Sequence, residues 1–222
     1  MDLDTVIIFG AGSFIAKQII KKIKYNRLIC ISRSVKKFKN KNKKIKIFDS
    51  FIKNIEEIKK FTNNTRITAL FLNNYTVDNL ILNKTKEELR LEIEENLLGV
   101  FENSKELCKI MINNNFGRLI FFSSSRGLTS DIGISGYSIS KNGLRGLMKS
   151  FSKEFARYNI TSNCLSLGFF DSPLFLKIKP ELKKKLLSKC DIKLTGNIDS
   201  IKNSIYFISQ SKYLTGTTLY LD

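Results

Sequence analysis

Seven short runs of aliphatic, β-branched and aromatic residues recur along the chain, at 5–9, 27–31, 44–48, 67–72, 118–122, 161–165 and 218–221. Each is bounded by turn signals and is too short for a core helix, so each reads as a strand. Most of the intervals have helical period instead. Ile15, Ile19, Ile20 and Ile23 share one helix face, and Leu144, Leu147, Phe151 and Phe155 share another. A longer stripe runs through Leu89, Ile93, Leu97, Val100, Phe101, Leu107 and Met111. Short apolar strands alternating with helices imply a parallel sheet covered on both faces. The expected fold is α/β, a doubly wound parallel sheet of about seven strands with helices on both faces. No repeat, Pro/Gly/Ser linker or composition break interrupts the pattern, so residues 1–222 are expected to form one domain. In open sheets of this kind ligands sit beyond the carboxyl ends of the strands, and chemistry is sought at the strand tips.

The first tip, Gly10-Ala11-Gly12-Ser13-Phe14-Ile15-Ala16, opens the first helix. Glycines let the backbone turn tightly and approach a phosphate. The helix N-terminus adds free N–H groups and the positive end of a dipole. Such a turn alone also serves merely to reverse the chain. The second tip reads Cys30-Ile31-Ser32-Arg33-Ser34, with Lys36 and Lys37 close behind. In dinucleotide-binding folds an acid here bonds the ribose of NAD, whereas a base accommodates the extra phosphate of NADP. No acid stands at this tip, and Arg33 offers a planar fork suited to phosphate. NADP(H) is therefore the favoured cofactor, with NAD(H) as the second choice.

Further on, Tyr137-Ser138-Ile139-Ser140-Lys141 opens a helix with Tyr137 and Lys141 on one face. An ammonium beside a phenol favours the phenolate, so the tyrosine pKa is expected to fall from about 10. That shift would suit the phenol to acid/base work near neutral pH. Tyr137 follows Ser124 by 13 residues, and Ser124 lies in Ser123-Ser124-Ser125-Arg126-Gly127 at the end of an apolar run. Asn96 stands earlier, in Glu94-Glu95-Asn96-Leu97-Leu98-Gly99-Val100-Phe101; Leu167-Gly168-Phe169-Phe170-Asp171-Ser172-Pro173 and a closing run from Tyr213 to Asp222 come later. In this order the segments resemble the short-chain dehydrogenase/reductase family over nearly the whole chain. Through Leu194-Thr195-Gly196-Asn197 the likeness leans towards its 3-oxoacyl-carrier-protein reductases.

The resemblance implies a Rossmann-type sheet and a role for each matching residue. Tyr137 would be the general acid/base, Lys141 would lower its pKa and hold the nicotinamide ribose, and Ser124 would orient the substrate oxygen. Asn96 would fix a water in a proton relay. Gly10, Gly12, Ser13, Phe14 and Ile15 would line the pyrophosphate site, and Ser32 and Arg33 the adenosine end. Asp49 would touch the adenine, with Asn73 and Asn74 at the fourth strand tip. Leu167, Gly168 and Phe170 would border the nicotinamide, with Ser172 at the position of the family's threonine. A substrate lid is expected over about 169–194. The implied activity is hydride transfer between a nicotinamide and a carbonyl or alcohol on a small or carrier-bound substrate. A sugar or nucleotide-sugar substrate is an alternative, and so is a non-catalytic dinucleotide-binding scaffold or sensor. A homodimer or homotetramer is implied as well.

Three departures from the family pattern stand out. Phe14 and Ala16 replace its second and third glycines, and Asn73-Asn74-Tyr75-Thr76 replaces its NNAG. Many relatives also run on past the position of Asp222, so one subunit contact is expected to differ. Composition narrows the remaining classes. The chain has no histidine, and its four cysteines, Cys30, Cys108, Cys164 and Cys190, are scattered, so no metal site is expected. The formal net charge of +18 would suit a polyanion or an acidic carrier protein; equally it reflects a chain in which Lys, Asn and Ile are over-used together. The basic residues are dispersed and no nucleic-acid motif accompanies them, so no nucleic-acid partner is expected. No leader or membrane-spanning run is read, and a cytoplasmic location without membrane insertion is expected.

Overall fold

The computed structural model describes residues 2–33, 42–188 and 192–222, apart from the side chain of Leu174. Lys36, Lys37 and Cys190 lie outside the described residues. The seven runs form one parallel sheet: β1 (Leu3–Phe9), β2 (Tyr25–Ile31), β3 (Ile45–Phe48), β4 (Ile67–Phe71), β5 (Gly117–Ser124), β6 (Ile160–Leu167) and β7 (Thr218–Leu221). Their order is β3-β2-β1-β4-β5-β6-β7. The chain first builds outward from β1 through β2 to β3, then returns to build the other way from β4. The switch lies between β1 and β4, which pair from Thr5 with Ile67 to Phe9 with Phe71. A crevice opens at such a point because the connections leave in opposite directions.

Side chains alternate across the sheet and feed two cores. Ile7, Phe9, Ile29, Phe71 and Phe121 face α4 (Gly99–Asn113) and α6 (Ser135–Glu154), which contribute Leu107, Met111, Leu144, Met148 and Phe151. Stacked rings at 4.4 Å (Phe9–Phe71) and 4.9 Å (Phe71–Phe121) tie the three central strands together. On the other face Val6, Ile8, Leu28, Leu70 and Ile120 meet Ile19 of α1 (Phe14–Lys22) and Ile201, Ile205 and Ile208 of α9 (Ile198–Gln210). Cys30, Cys108 and Cys164 are free and buried in these cores, and burial pushes each thiol up to about 12.

The long stripe from Leu89 to Met111 is not one uninterrupted α-helix. α3 (Lys86–Ile93) starts at a capping box between Thr85 and Glu88, then passes through a π turn, Glu94–Leu98, into α4. One extra residue in a turn rotates the succeeding helix by about 100°. Of the expected stripe Val100, Leu107 and Met111 stay buried but Phe101 is exposed, while Glu92 and Asn96, off the stripe, are fully buried. Glu92 is ion-paired with the buried Lys84 and accepts from the Val77 N–H at 3.1 Å. A Cβ at Gly136 would collide with the Glu92 carboxylate, so the start of α6 lies directly on this pair. Among the described residues, no helix is long and apolar enough to cross a membrane, and no group of His, Cys, Asp or Glu side chains could hold a metal ion.

Candidate active site

A cavity of about 740 Å³ opens at the switch point, within the range of small-molecule sites. Its walls include Gly10, Gly12, Ser13, Ser32, Arg33, Asp49, Asn73, Asn74 and Asn96. Residues read from four separate strand tips and a distant helix thus meet in one place. Gly10 has φ +72°, and a Cβ there would stand 2.8 Å from the Leu72 carbonyl oxygen. A Cβ at Gly12 would come equally close to Ser32 Oγ. Only glycine lets this turn lie flat against its neighbours and keep its backbone open to the crevice. Ser13 caps α1 by accepting from the Ala16 N–H at 3.2 Å, which leaves other first-turn N–H groups unpaired within the helix. Asp49 accepts from Asn54 Nδ2 at 3.3 Å, and Asn73 Nδ2 donates to the Glu95 carbonyl at 3.1 Å. Asn73 Oδ1 is buried with no partner. A buried acceptor left open beside a cavity is a place for a ligand donor.

Ser124, Tyr137 and Lys141 do not line this cavity; β5 and α6 carry them, and Lys141 joins them to it through the carbonyl of the wall residue Asn73. The tip of β5 presents Ser124, whose side chain makes no helix-capping bond at the start of α5 (Ser125–Thr129). It acts instead on the Tyr137 phenol, whose pKa it draws down. Burial pushes the Tyr137 phenol above its usual value, and Ser124 and the charge of Arg126 counteract only part of this. The expected lowering by Lys141 is not what this geometry produces. Lys141 is buried, with Nζ 5.6 Å from the Tyr137 ring centre, and donates to the carbonyls of Asn73 at 2.6 Å and Phe122 at 3.1 Å. Its charge is engaged with backbone dipoles, and burial brings the ammonium down to about 8. Asn96 is locked as firmly: it donates to the Tyr75 carbonyl at 2.6 Å, accepts from the Tyr75 N–H at 2.7 Å and reaches Ser140 Oγ at 3.3 Å. Tyr75 lines the cavity, tied through its backbone to the π turn.

Other expected site residues lie away from these walls. Phe14 is 36% exposed, and neither it nor Ile15 lines the cavity. Leu167 pairs in register with Ser124, so it and Gly168 flank the serine on the next strand. Phe170 is buried in the core against Gly196, and Ser172 Oγ accepts from the Phe175 N–H at 3.1 Å. Several wall residues were not anticipated. Glu94, Glu95, Gly99 and Asn103 arrive through the π turn, and Ser50, Phe51 and Lys53 come after β3. Arg33, expected to be a free base, is ion-paired with Glu95 at 2.6 Å. Glu95 was legible only as an acid next to Asn96; nothing local shows that it meets the second strand tip.

The sequence profile of the short chain dehydrogenases matches residues 4–183. The chain belongs to the short chain dehydrogenase family. Over 132 residues it is 36% identical to a 3-oxoacyl-(acyl-carrier-protein) reductase, FabG, of Buchnera aphidicola subsp. Schizaphis graminum, a match covering 59% of this chain and 54% of that protein. It thus spans about half the length of the curated relatives it matches. Among solved structures, a short chain dehydrogenase from Leptospira borgpetersenii with bound NAD+ superposes with a TM-score of 0.86 at 20% identity, covering 100% of this chain and 92% of that one. A gluconate 5-dehydrogenase from Burkholderia cenocepacia, in complex with NADP and tartrate, gives 0.86 at 18% identity, covering 100% and 94%. At these identities the two structures establish the shared fold of this short chain dehydrogenase and leave its chemistry to its own residues.

Proposed function

We propose that this chain is an NADP(H)-preferring oxidoreductase that reduces a carbonyl on a small or carrier-bound substrate. The supporting observation is that Lys141, one turn after Tyr137 on the same helix, is fixed at 2.6 Å to the carbonyl of Asn73, a wall residue of the glycine-lined cavity, while Ser124 acts on the Tyr137 phenol. The open acceptor of Asn73 and the flat turn at Gly10 and Gly12 fit a dinucleotide. When bound, the nicotinamide supplies or accepts the hydride. Ser124 and Tyr137 hold the substrate oxygen, and Tyr137 delivers its phenolic proton to that oxygen as the carbonyl is reduced. Lys141, held at two carbonyls, would hold the nicotinamide ribose when the cofactor is bound. The lid is read over about 169–194, of which 189–191 lie outside the described residues, and within it Phe169 and Phe175 stack at 5.2 Å. Exposed Leu91, Leu98, Phe101 and Ile139 give the long helices an apolar surface suited to a second copy, consistent with a homodimer or homotetramer.

The test is loss of NADPH absorbance with a panel of ketones, 3-oxo thioesters and keto sugars; no carbonyl-dependent oxidation with any of them refutes the proposal. The raised phenol pKa sets the pH behaviour. Tyr137 keeps its proton through neutral pH, so reduction is nearly flat there, while alcohol oxidation, which needs the phenolate, accelerates as pH rises. Lys141 is cationic below about 8, so cofactor affinity weakens as pH climbs through that value. An oxidative rate that falls with rising pH contradicts this assignment.

Cofactor choice turns on Arg33 and Glu95. Their pair is largely exposed on the arginine side, 76% against 30%, and exposed pairs contribute only about 0–1 kcal/mol. A 2′-phosphate is therefore able to displace Glu95 from the guanidinium. Arg33→Ala is expected to weaken NADPH binding about 10- to 100-fold and leave NADH nearly unchanged, from the ~1.5–3 kcal/mol of a charge-assisted contact. Glu95→Gln strengthens NADPH binding by removing the competitor. Fluorescence titration of both variants with both cofactors checks the pair of effects.

A further inference from the structure

Arg126 takes no part in the proton transfer assigned to Tyr137, yet it stands two residues after Ser124 and its charge reaches the Tyr137 phenol. The turn that carries it is fixed from three directions. Ser125 Oγ donates to the Leu167 carbonyl at 3.4 Å, and Asn142 Nδ2 donates to the Gly127 carbonyl at 2.6 Å. A Cβ at Gly127 would stand 2.8 Å from Lys141 Cβ, so the turn rests on the lysine itself. The turn that carries Arg126 is thus held against β6, α6 and Lys141, next to Ser124. Its side chain is 41% exposed and ion-paired with Asp131, and one donor is left over. Nε is buried without a hydrogen-bond partner, and Nη2 reaches Asp131 Oδ2 at 3.5 Å, the limit of a useful bond. Asp131 meanwhile uses Oδ1 to accept from the Ile132 N–H at 2.9 Å. A buried N–H left open costs roughly 1–3 kcal/mol, and the penalty is removed when a ligand oxygen arrives.

We infer that Arg126 binds a carboxylate on the substrate, so that the site selects keto acids over neutral ketones, esters and thioesters. The adjacent Nε–H and Nη2–H form one planar edge, which matches the two oxygens of a carboxylate as a bidentate pair. A substrate held this way has its carbonyl a few bonds along, at Ser124 and Tyr137. A neutral ester or thioester offers this edge one uncharged acceptor in place of a charged pair. The inference rests on the oxidoreductase reading for the placement of the carbonyl, but the recognition of the anion can be tested without turnover.

The test is calorimetry on the full chain with NADP+ present, a complex that cannot react, titrated with 3-oxobutanoate and with its methyl ester. The acid is expected to bind about tenfold or more tightly than the ester, as a charge-assisted bidentate pair would give. In Arg126→Leu the two ligands bind within about twofold of each other while NADP+ affinity is unchanged. Arg126→Lys keeps the charge without the fork and recovers only part of the preference. Equal binding of the pair to the wild type, including no measurable binding of either, overturns the inference. So does an acid preference that survives Arg126→Leu. A preference that depends on Arg126 without any NADPH oxidation refutes the oxidoreductase reading and leaves the anion site standing.

Discussion

Replacing Tyr137 with phenylalanine lowers carbonyl-dependent NADPH oxidation by roughly 10²–10⁴-fold, the range over which a positioned general acid acts. The substitution removes one oxygen and keeps the ring. The ring lies 5.6 Å from Lys141 Nζ and takes no part in fixing it, because that ammonium is held by Asn73 and Phe122. NADPH affinity is therefore expected to stay within about twofold of the wild type. Rate and affinity are read separately, the rate by absorbance and the affinity by nicotinamide fluorescence. A parallel loss of both would mean that the phenol is structural, and an unchanged rate would remove it from the mechanism. Ser124→Ala is expected to lower the rate as well, since it removes the group that draws the phenol pKa down and the proposed contact to the substrate oxygen.

The second large effect is on stability. Lys84→Met strips the buried Glu92 of its cation and is expected to cost about 3–5 kcal/mol, the usual penalty for an uncompensated buried charge. Urea unfolding measures it directly. The ammonium also donates to the Val77 carbonyl at 2.7 Å, and Glu92 accepts from the Val77 N–H, so the pair closes the loop after β4 as well as neutralising itself. Replacing both partners with methionine should recover part of the loss, because no bare charge remains. Recovery stays incomplete, because both Val77 groups are left without partners. A Lys84→Met protein as stable as wild type would show that water reaches Glu92. The loop begins at Asn73, whose carbonyl holds Lys141, so the single variant is also expected to be less active at temperatures where it remains folded.

Features set by local pattern were legible in the sequence, and features set by distant partners were not. The strands were legible because each is a short apolar run bounded by turns, and six of the seven differ from the observed bounds only at their ends; 218–221 coincides with β7. The site at the strand tips was legible for a related reason. Gly10, Gly12, Ser124, Tyr137 and Lys141 sit at places where parallel strands end and helices begin, and their spacing is set by the architecture. The π turn was hidden. Glu94 to Leu98 has ordinary helical composition, and the turn is held by Asn96 bonding to Tyr75, a partner 21 residues away. Phe101, expected on the buried stripe, follows that turn and is exposed, whereas Glu92 precedes it and is buried by its pair with Lys84. The Arg33–Glu95 pair joins residues 62 apart in sequence, so Arg33 could be read as a base but not as an engaged one. The direction of the Tyr137 shift was hidden for a different reason. Sequence spacing shows that Lys141 is near the phenol; it cannot show that burial outweighs the charge or that two carbonyls already hold it.

The central claim is that the glycine-lined cavity beside Ser124, Tyr137 and Lys141 is a nicotinamide-dinucleotide site. The most direct measurement is titration of the purified chain with NADPH and NADH, monitored by nicotinamide fluorescence in a protein that contains no tryptophan. Saturable binding of both, with NADPH the tighter, is predicted, and Arg33→Ala should abolish the difference. Binding of neither cofactor would contradict the account at its root.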